Sequence, residues 1–578
     1  MINCMLKFYA KYLKFYKLET IFSPIFKLFE AVFALIVPLI IANIIDKGIN
    51  GNLGQDYIVQ QGLILLALAI IGFCSTMVCQ ILAVRTSTGY GYKVRTDLYH
   101  HIDTFSAKEI NKFGASSLQT RLSSDVVITQ TGLALLLRLA VRAPFLVIGS
   151  IVMSFIVNPQ MAIIFVVIGA VLGFVIYFVS KASIPHNKKM QKKLDDLTYM
   201  AKDNLSGARV IRAFNKESYE KARFDKTSDE LQKTAAKLSR ISSALNPLNT
   251  IIVNAGIIAI LYFGGLGVNS GSLTQGEIVA LINYMTQISL AIIVVSNLVV
   301  SFSRAASSAS RIEEVLNTES TVVTGDEKPE FIQNAIEFKN VSFRYSPNAE
   351  PVLSNINIKI QKGQTIGVIG GTGSGKSTLI DLIERYYDAT DGVVNINDVD
   401  IKKYDLSYLR NNIGFVFQGA TLFSGTIKSN LMYGNAEASD SDIENALDIA
   451  QAKEVVKSKT KGLEAHVTQG GKNFSGGQRQ RLTIARALAK KPKILILDDS
   501  SSALDFQTDF RLRQAIKNKT DNMTAIIISQ RATSIKYADN IIVLDEGKIV
   551  GEGKHDDLYA NCTVYKEICD SQRVKEEK

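Results

Sequence analysis

Residues 370–378 read GGTGSGKST, preceded by the short apolar run QTIGVI at 364–369 and followed from Thr378 to Tyr386 by a segment with helical patterning. Gly370, Gly371, Gly373 and Gly375, with Thr372 and Ser374 between them, let the backbone turn tightly and point its amides at one centre. The start of a helix adds a favourable dipole for an anion, so strand, loop and helix together make a phosphate cradle. Lys376 has the reach for the β and γ phosphates of a nucleoside triphosphate, the Ser377 hydroxyl can ligate magnesium, and Thr378 continues into the helix behind them. The stretch predicts a domain of alternating strands and helices that binds ATP and Mg2+.

Downstream, Phe474–Arg481 reads FSGGQRQR, and 494–499 reads ILILDD, an apolar strand pattern ending in two carboxylates. Asp498, at the strand end, is placed to hold magnesium, mostly through water. The next side chain would orient or deprotonate an attacking water. Asp499 has the right charge for that task but one methylene fewer than glutamate, and misplacing a reacting group by about 1 Å costs around a hundredfold in rate. Gln530 stands where a hydrolytic site has histidine; its amide can hydrogen-bond a phosphate but cannot become cationic. The expectation is a site that binds ATP better than it cleaves it.

Working back towards the amino terminus, the 578 residues leave room for two large units. Six apolar stretches are long enough to cross a bilayer, which takes about 20 residues of helix: Thr20–Ile45, Ile58–Val84, Thr131–Val157, Ala162–Val179, Asn249–Leu266 and Glu277–Phe302. The fold class expected is a multi-domain membrane protein, with a six-helix transmembrane domain at 1–310, a polar linker at 311–334 and a P-loop α/β nucleotide-binding domain at 335–578. The net charge of +11 is explained by topology, not by a nucleic-acid partner. Lys7, Lys11, Lys14 and Lys17 precede the first span, and Lys181, Lys188, Lys189, Lys192 and Lys193 follow the fourth, whereas the connections near 47–55, 158–160 and 269–274 carry little or no charge. Both termini are therefore expected in the cytoplasm of a bacterial cell, with membrane lipids around the spans. The basic amino terminus runs into a full-length span without a small-residue cleavage site, so no removable signal peptide is expected.

Spans two and three, and spans four and five, are separated by long polar segments at helical spacing, each with a break, around Phe105–Ser116 and around Ser206–Lys216. Within the spans, Lys27 with Glu30 and Arg138 with Arg142 fall at helical neighbour spacing. They fit either a polar cavity that touches a substrate or long side chains reaching headgroups and water; their place in the cytoplasmic halves favours the second. Cys74 and Cys79 are five apart, off any shared helix face, and with Cys4, Cys562 and Cys569 show no metal or disulfide spacing. Cys74 and Cys79 are expected as buried, reduced thiols.

From the first span to the end, the chain resembles a half-transporter of the ATP-binding-cassette exporter family, and FSGGQRQR is the most specific element of that resemblance, with SSALD at 501–505 beside it. The resemblance implies that Tyr345 stacks on adenine and that Gln418, in GFVFQGATLFSGT, touches magnesium and senses the membrane domain. It implies that Ser475, Gly476, Gly477 and Gln478 close over ATP held by the opposite subunit, that Asp505 crosses between sites, and that the two breaks are coupling helices. The second coupling helix would contact the partner. Asp499 and Gln530 depart from the family pattern as the degenerate subunit of a heterodimeric multidrug or lipid exporter does, while FSGGQ is intact. The resemblance thus implies a second half-transporter as partner, one slow and one fast site, and amphipathic small molecules or lipids as substrate. An ATP-gated receptor or channel, or a homodimeric exporter with slow ATPase, are the competing expectations.

Overall fold

The computed structural model describes residues 2–51, 53–331, 336–500, 503–519 and 523–576. The chain divides into two compact units, Met1–Asp103 with Gly114–Thr318, and Thr104–Phe113 with Glu319–Lys578.

Among its described residues the first unit holds six helices long and apolar enough to cross a membrane: Lys17–Ile49, Gly54–Asp103, Ala115–Val157, Pro159–Ser206, Glu217–Asn269 and Gln275–Leu316. Each contains one of the expected spans, and the second, fourth and fifth continue as helix far into the polar segments beside them. The charge-poor connections are tight caps. Asn158 Oδ1 accepts the amides of Gln160 and Met161 at 2.9 and 3.1 Å, with Pro159 opening the helix where no amide partner is needed. Thr274 and Glu277 form a capping box, and Asp46 reaches across to accept Thr274 Oγ1 at 2.6 Å and the Gly276 amide at 2.8 Å. The apolar core gathers Ala31, Leu35, Leu146, Phe165, Met285 and Ile288 around Tyr284, whose hydroxyl donates to the Leu35 carbonyl at 2.7 Å.

Three expectations change here. Lys27 and Glu30 do not snorkel: their side chains are mostly buried and paired at 2.5 Å. Arg142 joins Glu30 at 3.0 Å instead of acting with Arg138, because a carboxylate compensates its desolvation and a second arginine cannot. Cys79 is buried beside Ser23, but Cys74 is exposed on the apolar outer face. The last helix runs through Leu316, into the segment expected as linker from Arg311. It is held there by Asp125, 2% exposed, which accepts Arg311 Nε and Ser308 Oγ at 2.8 and 2.9 Å. Asp125→Ala removes the buried acceptor of these bonds while Arg311, 45% exposed, keeps Ser307 and water, so it should cost about 1.5–3 kcal/mol; thermal unfolding of the purified chain in detergent measures it. Residues 332–334 of the expected linker, with 335, lie outside the described residues.

In the second unit the short helix Ala107–Phe113 packs with the C-terminal residues. A four-stranded antiparallel sheet runs β2-β1-β4-β5, with β1 Ile336–Phe343, β2 Leu353–Ile360, β4 Asp391–Ile396 and β5 Val399–Asp400. A six-stranded sheet runs β12-β11-β3-β10-β9-β6, where β3 is Thr365–Gly370, β6 Ile413–Val416, β9 Ile494–Asp498, β10 Thr524–Ile528, β11 Asn540–Asp545 and β12 Lys548–Gly553; only β12 is antiparallel to its neighbour. The short pair β7 Gly425–Thr426 and β8 His466–Val467 stands apart.

The unbroken apolar runs of β9 to β11 follow from burial on both faces. Ile494, Ile496, Ile526, Ile528 and Ile542 point into a core shared with the antiparallel sheet and with Leu379 and Ile380 of the helix Lys376–Ile383. Their neighbours Leu495, Leu497, Ala525, Ile527 and Val543 point to the other core, against Leu482, Ile484 and Leu488 of the helix Gly476–Ala489. Truncating one of these isoleucines to alanine removes about 2–5 kcal/mol.

Glu384, at the end of the helix Lys376–Ile383, is 3% exposed, and burial pushes its carboxyl up to about 7, opposed by Lys490 and Arg410. Its folded value lies above the ordinary 4.5, so its contribution is fully present below that pH and is lost as pH rises through about 7. Glu384→Gln should therefore raise the unfolding temperature at pH 8 by roughly 2–4 °C per kcal/mol removed, with the gain fading towards pH 5. Melts of both proteins across that range check the sign.

Candidate functional site

In a parallel sheet with helices on its faces, ligands meet the carboxyl ends of the strands. β10 lies between β3 and β9, with Ile528 paired to Val368 on one side and Asp498 on the other. The chain therefore delivers the glycine loop after β3, Asp498 and Asp499 at the end of β9, and Gln530 just after β10, to the same edge. β6 pairs with β9, Val416 against Leu497, which brings Gln418 alongside.

The glycines answer to geometry at two positions. A Cβ on Gly370 would sit 2.1 Å from the Leu544 carbonyl oxygen, and Gly375 has φ +96° with Leu353 2.7 Å from where its Cβ would be. Gly371, Thr372 and Gly373 are exposed, Ser374 is buried, and Ser377 lies open one residue inside the helix. Lys376 Nζ donates to the carbonyls of Gly370 and Gly371 at 3.0 and 2.6 Å and to Ser374 Oγ at 3.3 Å. Burial lowers its pKa, with Asp498 and Asp499 opposing.

Burial pushes Asp498 up to about 6, with Asp499 adding to the rise and Lys376 opposing it; Asp381, on the loop helix, is raised to about 6 by burial and then by Asp498. Three carboxylates around one ammonium leave an excess of negative charge that a divalent cation neutralises. Asp498, Ser377 and Gln418 offer hard oxygen donors of the kind magnesium takes, few enough that phosphate and water complete the shell. The loop's amides, helix start and lysine fit the phosphates of ATP. Among the described residues no group of three His, Cys, Asp or Glu forms a cage for a metal alone.

Asp499 has φ +43°, a left-handed backbone that aspartate tolerates better than most side chains. Gln418 Nε2 donates to its Oδ2 at 3.4 Å. Burial raises its pKa, while Gln418, Arg531, Lys376 and the Gln530 main-chain amide hold it down. Gln530 is exposed, and its carbonyl accepts Gln572 Nε2 at 2.7 Å.

Tyr345 reaches the same place: its hydroxyl is 2.9 Å from Thr378 Oγ1, and its ring meets Phe343 and Tyr387 edge-on. Tyr387 in turn accepts Asn111 Nδ2 at 3.2 Å, so the helix Ala107–Phe113 touches the ring beside Tyr345. Tyr387, Asn111, Asp381 and Arg531 carry no motif. Only the helical spacing of Asp381 after Lys376, and the position of Arg531 beside Gln530, offered any signal in the sequence.

Ser475 to Gln478 belong to a different element. Ser475 caps the helix Gly476–Ala489, its Oγ accepting the Gln478 amide at 3.3 Å and its own amide donating to Gln478 Oε1 at 3.1 Å. A Cβ on Gly476 would meet nothing within 4 Å, while one on Gly477 would lie 3.0 Å from the Ala503 carbonyl oxygen. Asp505 caps the next helix, Phe506–Lys519, accepting the Thr508 amide at 3.0 Å, and that bond is the main reason its pKa falls. Ser501 and Ser502 of SSALD lie outside the described residues.

The pattern of the ABC transporter transmembrane region matches residues 20–292, and that of the ABC transporter matches 353–502. The ABC transporter ATP-binding protein YfiB of Bacillus subtilis is 36% identical over 572 residues, 98% of each chain. The chain belongs to the ABC transporter family. An ABC transporter ATP-binding protein of Mycobacterium tuberculosis is 34% identical over 550 residues, 94% of each chain, and an ATP-dependent lipid A-core flippase of Vibrio vulnificus is 29% identical over 526 residues, 91% of this chain and 90% of that one. A solved bacterial Atm1-family ABC exporter with ATP bound shares the fold, with a TM-score of 0.82 at 22% identity over 96% of this chain and 99% of that one. This ABC transporter carries one transmembrane region and one ATP-binding domain, the layout of a half-transporter. It is a multi-pass protein of the bacterial plasma membrane, and its ATP-binding domain is of the kind whose ATPase drives transport.

Proposed function

We propose that this chain is one half of a heterodimeric exporter of amphipathic small molecules or lipids, in which its own ATP site is slow and its signature helix completes a fast site on the partner. The observation that carries the reading is the contrast between two places. At the end of β9, the position for the water-directing carboxylate holds the short Asp499 and the next strand supplies Gln530. At Ser475–Gln478, the helix start keeps its capping box and is sterically open at Gly476.

The proposed domain division is 1–310, extended by its last helix to Leu316, a linker up to 334 and an ATP-binding domain at 335–578, with both termini in the cytoplasm; the lysine asymmetry between the two sides of the membrane supports that orientation. Gly370–Thr378 hold the phosphates, Tyr345 stacks on the base, and Ser377, Gln418 and Asp498 hold Mg2+, which neutralises phosphate charge when bound. Lys376 exchanges its carbonyl bonds for phosphate oxygens. Asp499 and Gln530 position water poorly, so nucleotide dwells at this site. Ser475, Gly476, Gly477 and Gln478 present a helix amino terminus to the partner's nucleotide, and Asp505 lies at the crossing between sites. The helices Ala107–Phe113 and Ala208–Ala213 carry the closing movement to the spans, the second through the partner.

The experiment is to purify the chain alone and together with the half-transporter encoded beside it, and to measure ATPase and uphill transport in vesicles. The pair should hydrolyse ATP at least tenfold faster than the lone chain. Comparable ATPase from the lone chain would overturn the heterodimer, and downhill flux alone would favour a channel.

A further inference from the structure

Three charges that the sequence places on two separate spans meet in the first unit. Glu30 pairs with Lys27 at 2.5 Å and with Arg142 at 3.0 Å, and the three side chains are 18%, 11% and 31% exposed. The cluster keeps a net charge of +1. Beside it opens a cavity of ≈250 Å³, where one water needs about 10–15 Å³. Leu139, Leu146, Leu290 and Val294 line it with apolar surface, and Arg142 and Gln287 are its polar groups. Both bring unused hydrogen-bonding capacity. Among the described residues Arg142 Nε, a donor, and Gln287 Oε1, an acceptor, are buried without a partner, while Gln287 Nε2 is fixed on the Ala34 carbonyl at 2.9 Å.

Depth agrees with a shared role. Glu30 precedes the Asp46 turn, and Arg142 the Asn158 turn, by the same sixteen residues, which is about 24 Å of helix. That level is far from the charge-poor turns and nearer the other ends of the spans, where the lysines gather and an amphiphile keeps its head. A mostly apolar cavity with a few convergent polar groups is the usual form of a small-molecule site. The sign of the charge and the donor on Arg142 select the occupant.

We propose that Arg142 forms a subsite for the anionic head of an amphipathic substrate, a carboxylate or phosphate, with Glu30 as the internal counter-ion that the substrate's head displaces from Arg142 and Gln287 Oε1 as an acceptor for an O–H or N–H carried beside the charge. Lys27 then keeps Glu30 paired. The apolar lining takes the first carbons of the tail. This names the substrate class for the exporter reading and rests on it only for direction of movement.

The test uses the assembled transporter in nucleotide-free phosphatidylcholine nanodiscs, titrated with a fluorescent single-chain carboxylate and a quaternary amine with the same tail. The carboxylate should bind about tenfold tighter than the amine, since a charge-assisted hydrogen bond is lost for the cation. Arg142→Gln should erase that preference, and Arg142→Lys should keep part of it. Glu30→Gln should tighten carboxylate binding, an outcome that a merely structural cluster does not produce. Phosphatidylglycerol blended into the disc competes if the head belongs to a lipid and leaves binding unchanged if it belongs to a smaller amphiphile. Equal affinity for the two amphiphiles, or wild-type carboxylate binding in Arg142→Gln, overturns the subsite. If instead the charge preference holds while vesicles show no ATP-dependent movement of any amphiphile, the subsite stands and the exporter reading falls.

Discussion

Asp499→Glu combined with Gln530→His is expected to raise ATP turnover at this chain's own phosphate loop by about a hundredfold. The added methylene lets the carboxylate reach further past the end of β9, where Asp499 is now held back by Gln418 Nε2 at 3.4 Å and by the Gln530 main-chain amide. Gln530 is already exposed at the correct strand end, so a histidine there gains a group that can carry charge without a change of backbone. Asp499→Glu alone should recover roughly tenfold, because general-base help without the neighbouring imidazole is only part of the apparatus. The measurement is single-turnover hydrolysis in the assembled pair, in a background that also carries Gly477→Asp so that the partner's site is silent. Affinity for ATP should stay within a few-fold, since Gly370–Thr378 are untouched. If turnover does not move in the double variant, the deficit does not reside in these two side chains and the proposed division of labour between sites loses its basis.

What the sequence disclosed about this fold was whatever local periodicity and local stereochemistry control. β9 could be read because residues buried on both sides are apolar without interruption, and the two cores found on its faces are the physical reason. The phosphate loop could be read because Gly370 and Gly375 occupy places that other residues cannot fill. The six spans were visible as apolar runs, but their polar continuations were not separable from loops by hydropathy. Helix continuity past Val84 and Val179 rests on packing between neighbouring helices. Side-chain partnerships across the chain were hidden altogether. Glu30 and Arg142 lie on different helices, and Arg142 next to Arg138 suggested a surface pair until the carboxylate facing it was known. The contact of Asn111 with Tyr387 beside Tyr345 was hidden for the same reason: neither residue type is unusual, and only folding brings them together.

The second large effect should come from a different element of the domain, the helix Gly476–Ala489. Gly477→Asp in this chain should reduce ATPase of the assembled pair by more than about a hundredfold, whereas Lys376→Ala should reduce it only a few-fold. The helix Gly476–Ala489 is 14 residues long and begins with free amides at an open face, so its amino terminus attracts anions. An aspartate at 477 places a carboxylate at that terminus, where the partner's γ phosphate is proposed to sit, and like charges in a closing interface repel strongly. It also crowds the Ala503 carbonyl oxygen, which is 3.0 Å from the added Cβ. Gly477→Ala separates the two effects, because it brings the crowding without the charge and should cost about tenfold or less. ATP binding by the lone Gly477→Asp chain should match the unmodified chain, since Lys376, Asp498 and Tyr345 lie on other elements, and this shows that the variant is folded. The ordering of the two losses is the decisive quantity. A protein that relies mainly on its own phosphate loop loses most when Lys376 is removed, and one that serves chiefly to complete its partner's site loses most at Gly477.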